Sequence, residues 1–414
     1  MKKIFSFIPI VFLIFLASCN KPNPSVPDQT RNITLPADGE AIINANNKFA
    51  FEFFRATLQQ DAANNNKLVS PLSIYLALSM VYNGADNATK DSIAKTLQLS
   101  GIDINNLNAV CQMLISDLPQ EDSKVKLSIA NSIWYRQNSY NPIPTFLNTV
   151  QDNFSASVNA LNFDDPSAVN TINNWVAKKT NNKIPDIIDA ISPGDLMYII
   201  NAIYFNGSWK YAFKTSDTYN DVFYLQNGSN KMVPFMKQKI TTKMYNDSLF
   251  SMIELPYGGG KSFSMYILKP VNQQQSLNTF SASLNENYLM DAISKMYSVG
   301  FELQMPKWEY SYEMKDMKPE LAKLGMGIAF SGSADFSKLY DPSQVRVYIS
   351  KAIHKTYIKV NEEGTEAAAA TAIGFTYTSL PPSLPIIKLD HPFLYAVVEK
   401  QKGAVLFLGM VNEP

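Results

Sequence analysis

The hydrophobic and polar positions fall into blocks of different period. From Asn44 to Leu58, Phe49, Phe53 and Phe54 recur at helical spacing and predict an amphipathic helix. Ser70-Pro71 has the form of an N-cap followed by proline in the first turn. Leu72, Tyr75, Leu76, Ser79 and Met80 then line one helical face as far as Gly84 and Asn87. Val169, Ile172, Trp175 and Val176 predict another helix, closing near Asn182 and Pro185. After that the period changes. Met197 to Phe205 is almost continuously apolar, the pattern of a strand covered on both faces. Ser262 to Leu268 and the long β-branched stretch Val345 to Val360 predict further strands. Phe393 to Val398, a turn at Gln401-Lys402-Gly403, and Ala404 to Met410 predict a terminal hairpin. Helices first and strands later describe an α+β protein rather than alternating βαβ units.

The beginning of the chain stands apart. Lys2 and Lys3 precede a 13-residue apolar run, Ile4 to Leu16, broken only by Ser6 and Pro9. A membrane span needs about 20 residues, so residues 1–18 are expected to be a secretory signal. The sequence Leu16-Ala17-Ser18-Cys19 resembles a bacterial lipobox. That resemblance implies cleavage before Cys19, acylation of Cys19 and anchoring to a membrane through two or three acyl chains. Residues 19–40, with Pro22, Pro24 and Pro27, are expected to form a lipidated flexible tether. Residues 41–414 are expected to be one domain, since no repeat or Pro/Gly/Ser linker divides them. The expected location is that of an exported bacterial lipoprotein, at the outer membrane, cell surface or extracellular space.

Composition narrows the classes of function. Lys+Arg and Asp+Glu both number 36 in the 414 residues, so the net charge is zero. A nucleic-acid binder would show a basic excess. The 46% apolar content is far above that of a disordered chain. Two His and two Cys cannot supply the usual four-ligand Cys/His zinc site, and neither metal nor cofactor is expected. With Cys19 acylated, Cys111 is the remaining thiol, and its apolar helical setting reads as a buried, inert cysteine. Catalytic motifs are missing. No G-x-S-x-G occurs, and Gly258-Gly259-Gly260-Lys261-Ser262 fails as a phosphate loop because position 255 is Leu. A hairpin turn is the better reading there. Gly325-Met326-Gly327 lacks the third Gly of a dinucleotide fingerprint. An enzyme is therefore not expected.

One segment is chemically unusual. Asn361-Glu362-Glu363-Gly364-Thr365-Glu366-Ala367-Ala368-Ala369-Ala370-Thr371-Ala372 follows a predicted strand yet offers little apolar area to bury. Ile373, Phe375 and Tyr377 then alternate with Gly374, Thr376 and Thr378, and Pro381, Pro382 and Pro385 end any regular element. Small side chains are what a strand needs if it must slide between two existing strands.

Together these features resemble the serpin family. Asn361 to Thr371 resembles its hinge, and Val345 to Lys355 the strand leading into it. Asn201 to Trp209, with Phe213 and Thr218, resembles its signature strand and turn. Ser70 to Ala85, Ile172 to Ile184 and Asp390-His391-Pro392-Phe393 match in order as well. The resemblance implies three β-sheets, eight or nine helices, a five-stranded main sheet and an exposed reactive loop at about 362–388. It implies an inhibitor of serine endopeptidases, with cysteine endopeptidases as a further class, acting as a suicide substrate in a covalent 1:1 complex. The hinge would be Gly364, Thr365, Glu366, Ala367, Ala368, Ala369, Ala370 and Thr371, inserting into the main sheet after cleavage. The hinge register places the reactive bond at Thr378-Ser379. Counting back from Pro392-Phe393 points instead to Pro381. An elastase-, chymotrypsin- or papain-like target suits Thr378, Tyr377 and Phe375, and no Arg or Lys lies between Gly364 and Ile387. Ser70, Ser73, Asn201 and His354 would form one buried hydrogen-bonded cluster controlling sheet opening, with Trp209 at the point of entry. The resemblance implies a monomer. A non-inhibitory serpin that binds or carries a ligand is the alternative, since it would share every fold motif.

Overall fold

The computed structural model describes residues 33–61, 63, 65–365 and 384–414. Nine α-helical segments occur among them: α1 (Gly39–Gln60), α2 (Pro71–Gly84), α3 (Asn87–Thr96), α4 (Ile104–Asp117), α5 (Pro144–Phe154), α6 (Ala168–Lys179), α7 (Leu277–Ala282), α8 (Glu286–Ser294) and α9 (Lys318–Leu321). The strands are β1 (Lys67–Val69), β2 (Val125–Arg136), β3 (Ser157–Leu161), β4 (Met197–Ser208), β5 (Tyr219–Tyr224), β6 (Asn230–Asn246), β7 (Phe250–Pro256) and β8 (Phe263–Pro270). They continue with β9 (Tyr297–Pro306), β10 (Trp308–Met314), β11 (His354–Val360), β12 (Gly364–Thr365), β13 (Ile386–Lys388), β14 (Phe393–Glu399) and β15 (Val405–Val411).

The helical face of α1 buries Phe49, Phe53 and Phe54, with the rings of Phe49 and Phe53 5.5 Å apart. Packing starts earlier than residue 41. Ile33 is buried and its N–H is donated to the Gln401 side chain, so residues 33–40 belong to the domain and not to a tether. Covering the apolar Ile33 side chain removes it from water. Helix α2 begins at Pro71, whose ring presets the helical φ. The Ser70 hydroxyl does not cap it; it donates instead to the Leu406 carbonyl at 2.9 Å.

The strands form two sheets. The larger has the order β1-β15-β14-β8-β7-β6-β9-β13, with β5 paired to β6. The smaller, the main sheet for function, has the order β10-β11-β12-β4-β2-β3. A separate third sheet is absent among the described residues because the 17-residue β6 is shared. It pairs with β5 near its start, β9 along its middle and β7 at its end, fusing two layers into one ladder. The main sheet has five full strands plus β12, only two residues long. The strand expected from Val345 runs only from His354. Residues 345–350 alternate half-buried and exposed side chains, then Lys351 is exposed and Ala352 buried, but β10 ends at Met314 opposite His354 and gives residues 345–353 no ladder partner. Val405–Val411 and Phe393–Glu399 are buried at every position and form the hairpin read from the sequence. A smaller core of Trp134, Ile172, Val176, Tyr198 and Ile200 joins α6 to the face of the main sheet.

Candidate functional site: the hinge and the divided sheet

The chain leaves β11 at Val360 and reverses within three residues. The Asn361 side chain accepts the N–H groups of Glu363 (3.1 Å) and Gly364 (3.2 Å), and the Asn361 backbone N–H is donated to the Gly364 carbonyl. This is the turn an Asn side chain makes by mimicking backbone. It feeds Gly364 and Thr365 between β11 and β4, with Thr365 opposite Val360 on one side and Gly207 on the other. Gly364 has φ +154°, and a Cβ there would lie 2.1 Å from the Gly207 carbonyl oxygen. Only glycine permits that approach. Gly207 is constrained as well, since its Cβ would meet the Tyr257 ring at 2.7 Å.

A platform of side chains grips the turn. Trp209 and Tyr257 stack with ring centres 4.6 Å apart and planes 13° from parallel. Trp209 donates through Nε1 to the Asn361 carbonyl and through its backbone N–H to the Glu363 carbonyl, at 3.0 and 2.8 Å. The hydroxyls of Tyr257 and Thr365 lie 2.5 Å apart. The buried Glu362 carboxylate accepts from Thr218 at 2.7 Å and pairs with Lys307 at 3.0 Å. Burial opposes its ionisation, but Thr218 and Lys307 outweigh that and hold its carboxyl below the ordinary value. Trp209 was expected at this point of entry. Tyr257, Thr218 and Lys307 were not read as its partners, because each lies far from the hinge in sequence.

Below Thr365 the sheet is divided. Among the described residues no ladder bond joins β4 to β11. Ile203, Tyr204 and Phe205 of β4, Thr356 and Ile358 of β11, and Phe407 of β15 line a cleft at Thr365. Each strand is fixed on its far side, β4 to β2 and β11 to β10.

Under the sheet, the sequence-predicted cluster is two clusters. Ser70 N–H donates to His354 Nε2 at 3.0 Å, linking the start of α2 to β11. That bond requires a bare Nε2, so the neutral ring carries its proton on Nδ1. Burial drives the His354 pKa down to about 4, which keeps the ring neutral. The second cluster links α2 to β4 and β2. Ser73 Oγ donates to Asn201 Oδ1 (2.5 Å), Asn201 Nδ2 to Asn131 Oδ1 (2.7 Å), and Asn131 Nδ2 to the Phe154 carbonyl (2.7 Å). Asn131, opposite Asn201 in the ladder, was missed because a lone Asn within a strand pattern carries no signal. The reason for the split is the division above: the two clusters belong to the two halves of the sheet.

Several predicted site residues lie outside the described residues: Cys19, Glu366, Ala367, Ala368, Ala369, Ala370, Thr371, Thr378 and Ser379. The chain re-enters at β13, parallel to β9, where Lys388 pairs with Asp221 of β5 at 2.8 Å. His391 lies here, stacked on Tyr224 and bonded to Asp390.

A sheet divided between two central strands, with a glycine-led hinge started into the division, defines a class. A family model described as Serpin (serine protease inhibitor) matches residues 44–414. The chain belongs to the serpin family. The leukocyte elastase inhibitor of Homo sapiens is 32% identical over 390 residues, which cover 91% of this chain and 100% of that protein. Tengpin, a thermophilic serpin, matches in its native state with TM-score 0.82 and 33% identity, covering 93% of this chain and 96% of its own. Its latent state matches with TM-score 0.77 and 31% identity over 92% and 99%.

Proposed function

We propose that this protein inhibits serine endopeptidases, and papain-like cysteine endopeptidases as a second class, by trapping them during cleavage of its reactive loop. The observation that carries the reading is β12. Two hinge residues are seated between β4 and β11, the sheet below them is divided, and the next six residues are small except for Glu366. Each further residue entering the cleft would gain ladder bonds on both sides. The protease nucleophile attacks the Thr378 carbonyl carbon, the Thr378-Ser379 amide breaks, and an ester, or a thioester for a cysteine enzyme, joins Thr378 to the enzyme. The hydroxyl proton passes through the protease's own base to the new amino group of Ser379. Insertion then competes with attack of water on that ester. Fourteen steps from Gly364 to Thr378, at about 3.3 Å each, carry the ester roughly 46 Å. Serpins are the standing example of strain released by loop insertion.

The test is incubation of the purified domain with elastase-, chymotrypsin- and papain-like proteases. A complex of one protease and one inhibitor that survives SDS is expected. Thr365→Arg and Ala369→Pro should convert trapping into simple cleavage, through a charge in the sheet interior or a missing ladder donor. Cleavage of the parent without a stable complex would leave the carrier alternative standing.

We also propose that Cys19 carries the lipid anchor and that the protein acts from a bacterial membrane surface. The support is the lipobox-like Leu16-Ala17-Ser18-Cys19 after the apolar run. Cys19→Ala should release the mature chain from the membrane fraction or leave it unprocessed; unchanged fractionation and mass would refute the anchor.

A further inference from the structure

Behind the hinge platform lies a pair of carboxyl groups that trapping does not use. Glu121 follows the short 3-10 turn Leu118–Gln120. It is fully buried, and neither of its carboxyl oxygens has a hydrogen-bond partner. Glu399, the last residue of β14, is equally buried, and its oxygens accept the backbone N–H groups of Gln401 and Lys402. Burial first, and the Glu399 charge second, push the Glu121 carboxyl up to about 9. Burial raises Glu399 as well. Asp117 and Asp122 add negative charge beside Glu121, and Lys402 is the cation that opposes them. From β7 and β8, Glu254 and Tyr266 lie on the Glu399 side, but Glu254 is already paired with Lys400.

The pair is tied to the hinge through one turn. Ser262 Oγ donates to the Glu121 carbonyl (3.3 Å), Gly259 N–H to Asp122 Oδ2 (2.9 Å), and Lys400 N–H to the Ser262 carbonyl (2.7 Å). These bonds hold the turn from Gly258 to Ser262. The residue before it is Tyr257, the partner of both Trp209 and Thr365. Gly258, with φ +53°, leaves no room for a Cβ, which would sit 2.4 Å from the Asp122 carboxylate.

A carboxylate without donors is costly to bury, and more so beside a second carboxylate. We infer that Glu121 is neutral in the folded protein, and that loss of its proton in alkaline solution loosens the Gly258–Ser262 turn beneath the hinge. The inference does not depend on whether the protein traps proteases. In the unfolded chain Glu121 ionises in the ordinary Glu range. Between that range and its folded value, only the folded chain holds the proton. Stability therefore falls as pH rises through that window.

The experiment is thermal melting of the parent, Glu121→Gln and Glu121→Leu between pH 5 and 9, with and without added calcium or magnesium. The parent's melting temperature should drop toward pH 9 more steeply than that of either variant, so the gap widens with pH. Parallel curves would overturn the neutral Glu121. So would a rise with calcium or magnesium that is lost in Glu121→Gln, since the pair would then hold a cation. Hydrogen exchange at the Gly259 amide, compared at equal pH, reads the turn. It should be faster in the parent than in Glu121→Gln at pH 9 and equal at pH 6. Equal rates at both would overturn the coupling to the turn.

Discussion

The two sheets use similar residues to opposite ends. In the larger sheet, β8 bonds to β7 on one side and β14 on the other, and β14 continues to β15 from Phe393–Val411 to Val398–Val405. Nearly every side chain on these four strands is buried. Extending such a sheet by another strand would cost existing bonds. In the main sheet, β4 bonds to β2 from Val125–Gly207 to Tyr135–Met197, yet its other described ladder partners are Gly364 and Thr365 alone. One sheet has spent its hydrogen-bonding capacity, while the other keeps some in reserve at its centre. Unmade ladder bonds between β4 and β11 are free energy that a sixth full strand can collect, and the hinge is positioned to supply it.

Cutting the reactive loop is the largest perturbation of this contrast. After a cut at Thr378-Ser379, Ile373, Phe375 and Tyr377 should follow the hinge into the cleft. Burying three large side chains contributes roughly 5–9 kcal/mol before ordering costs. A strong rise in melting temperature is expected on cleavage, with release of a peptide beginning at Ser379. A peptide beginning at Pro382 would overturn the register, and an unchanged melting temperature the insertion itself.

Acid should weaken the main sheet selectively. His354 has a folded pKa of about 4 against an ordinary value of 6.5. Below 6.5 the unfolded chain takes up a proton that the folded ring refuses, so stability is lost from pH 6.5 down to 4 and then levels off. The loss is about 3 kcal/mol. Denaturant titrations of the parent should show this decline, and His354→Gln should be flatter over the same range. Parallel pH profiles would detach His354 from the stability of the sheet.

Two glycine substitutions give the smallest but most direct comparison. In Gly409→Ala the new Cβ would lie 2.3 Å from the Tyr395 ring, inside the closed sheet. Overpacking there should cost about 1–3 kcal/mol without altering the fraction of protease trapped by folded molecules. In Gly364→Ala the Cβ would strike the Gly207 carbonyl, but the hinge can withdraw. Melting should shift less than for Gly409→Ala, while the trapped fraction changes. The opposite pattern would mean that β12 supports the fold rather than the function.

Much of this was legible along the chain. Helix α2, helix α6 and the terminal hairpin follow from local spacing, because the side chains that define each lie within a few residues of one another. The hinge was legible as chemistry, from small residues after Gly364. What pairs with it was not. Tyr257, Lys307 and Asn131 reach their partners only after the sheets have formed. The stretch Val345–Ile353 shows the converse error: its β-branched composition was read as strand, but a strand also needs a neighbour, and β10 stops short. The shared β6 hid the count of sheets in the same way, since fusion of two ladders depends on how a 17-residue strand bends its pairing and not on its composition.

Cys111 gives the molecule a chemical clock. It is the free thiol among the described residues, sealed within α4. Burial pushes its pKa up to about 12 against the opposing bond from Ser79. A thiol reagent attacks the thiolate, so labelling must wait until the helical layer of α1, α2, α4 and α5 parts. No residue of that layer lines the cleft between β4 and β11. Labelling therefore counts global openings and stays silent through hinge movement, separating the two motions within a single unmodified protein.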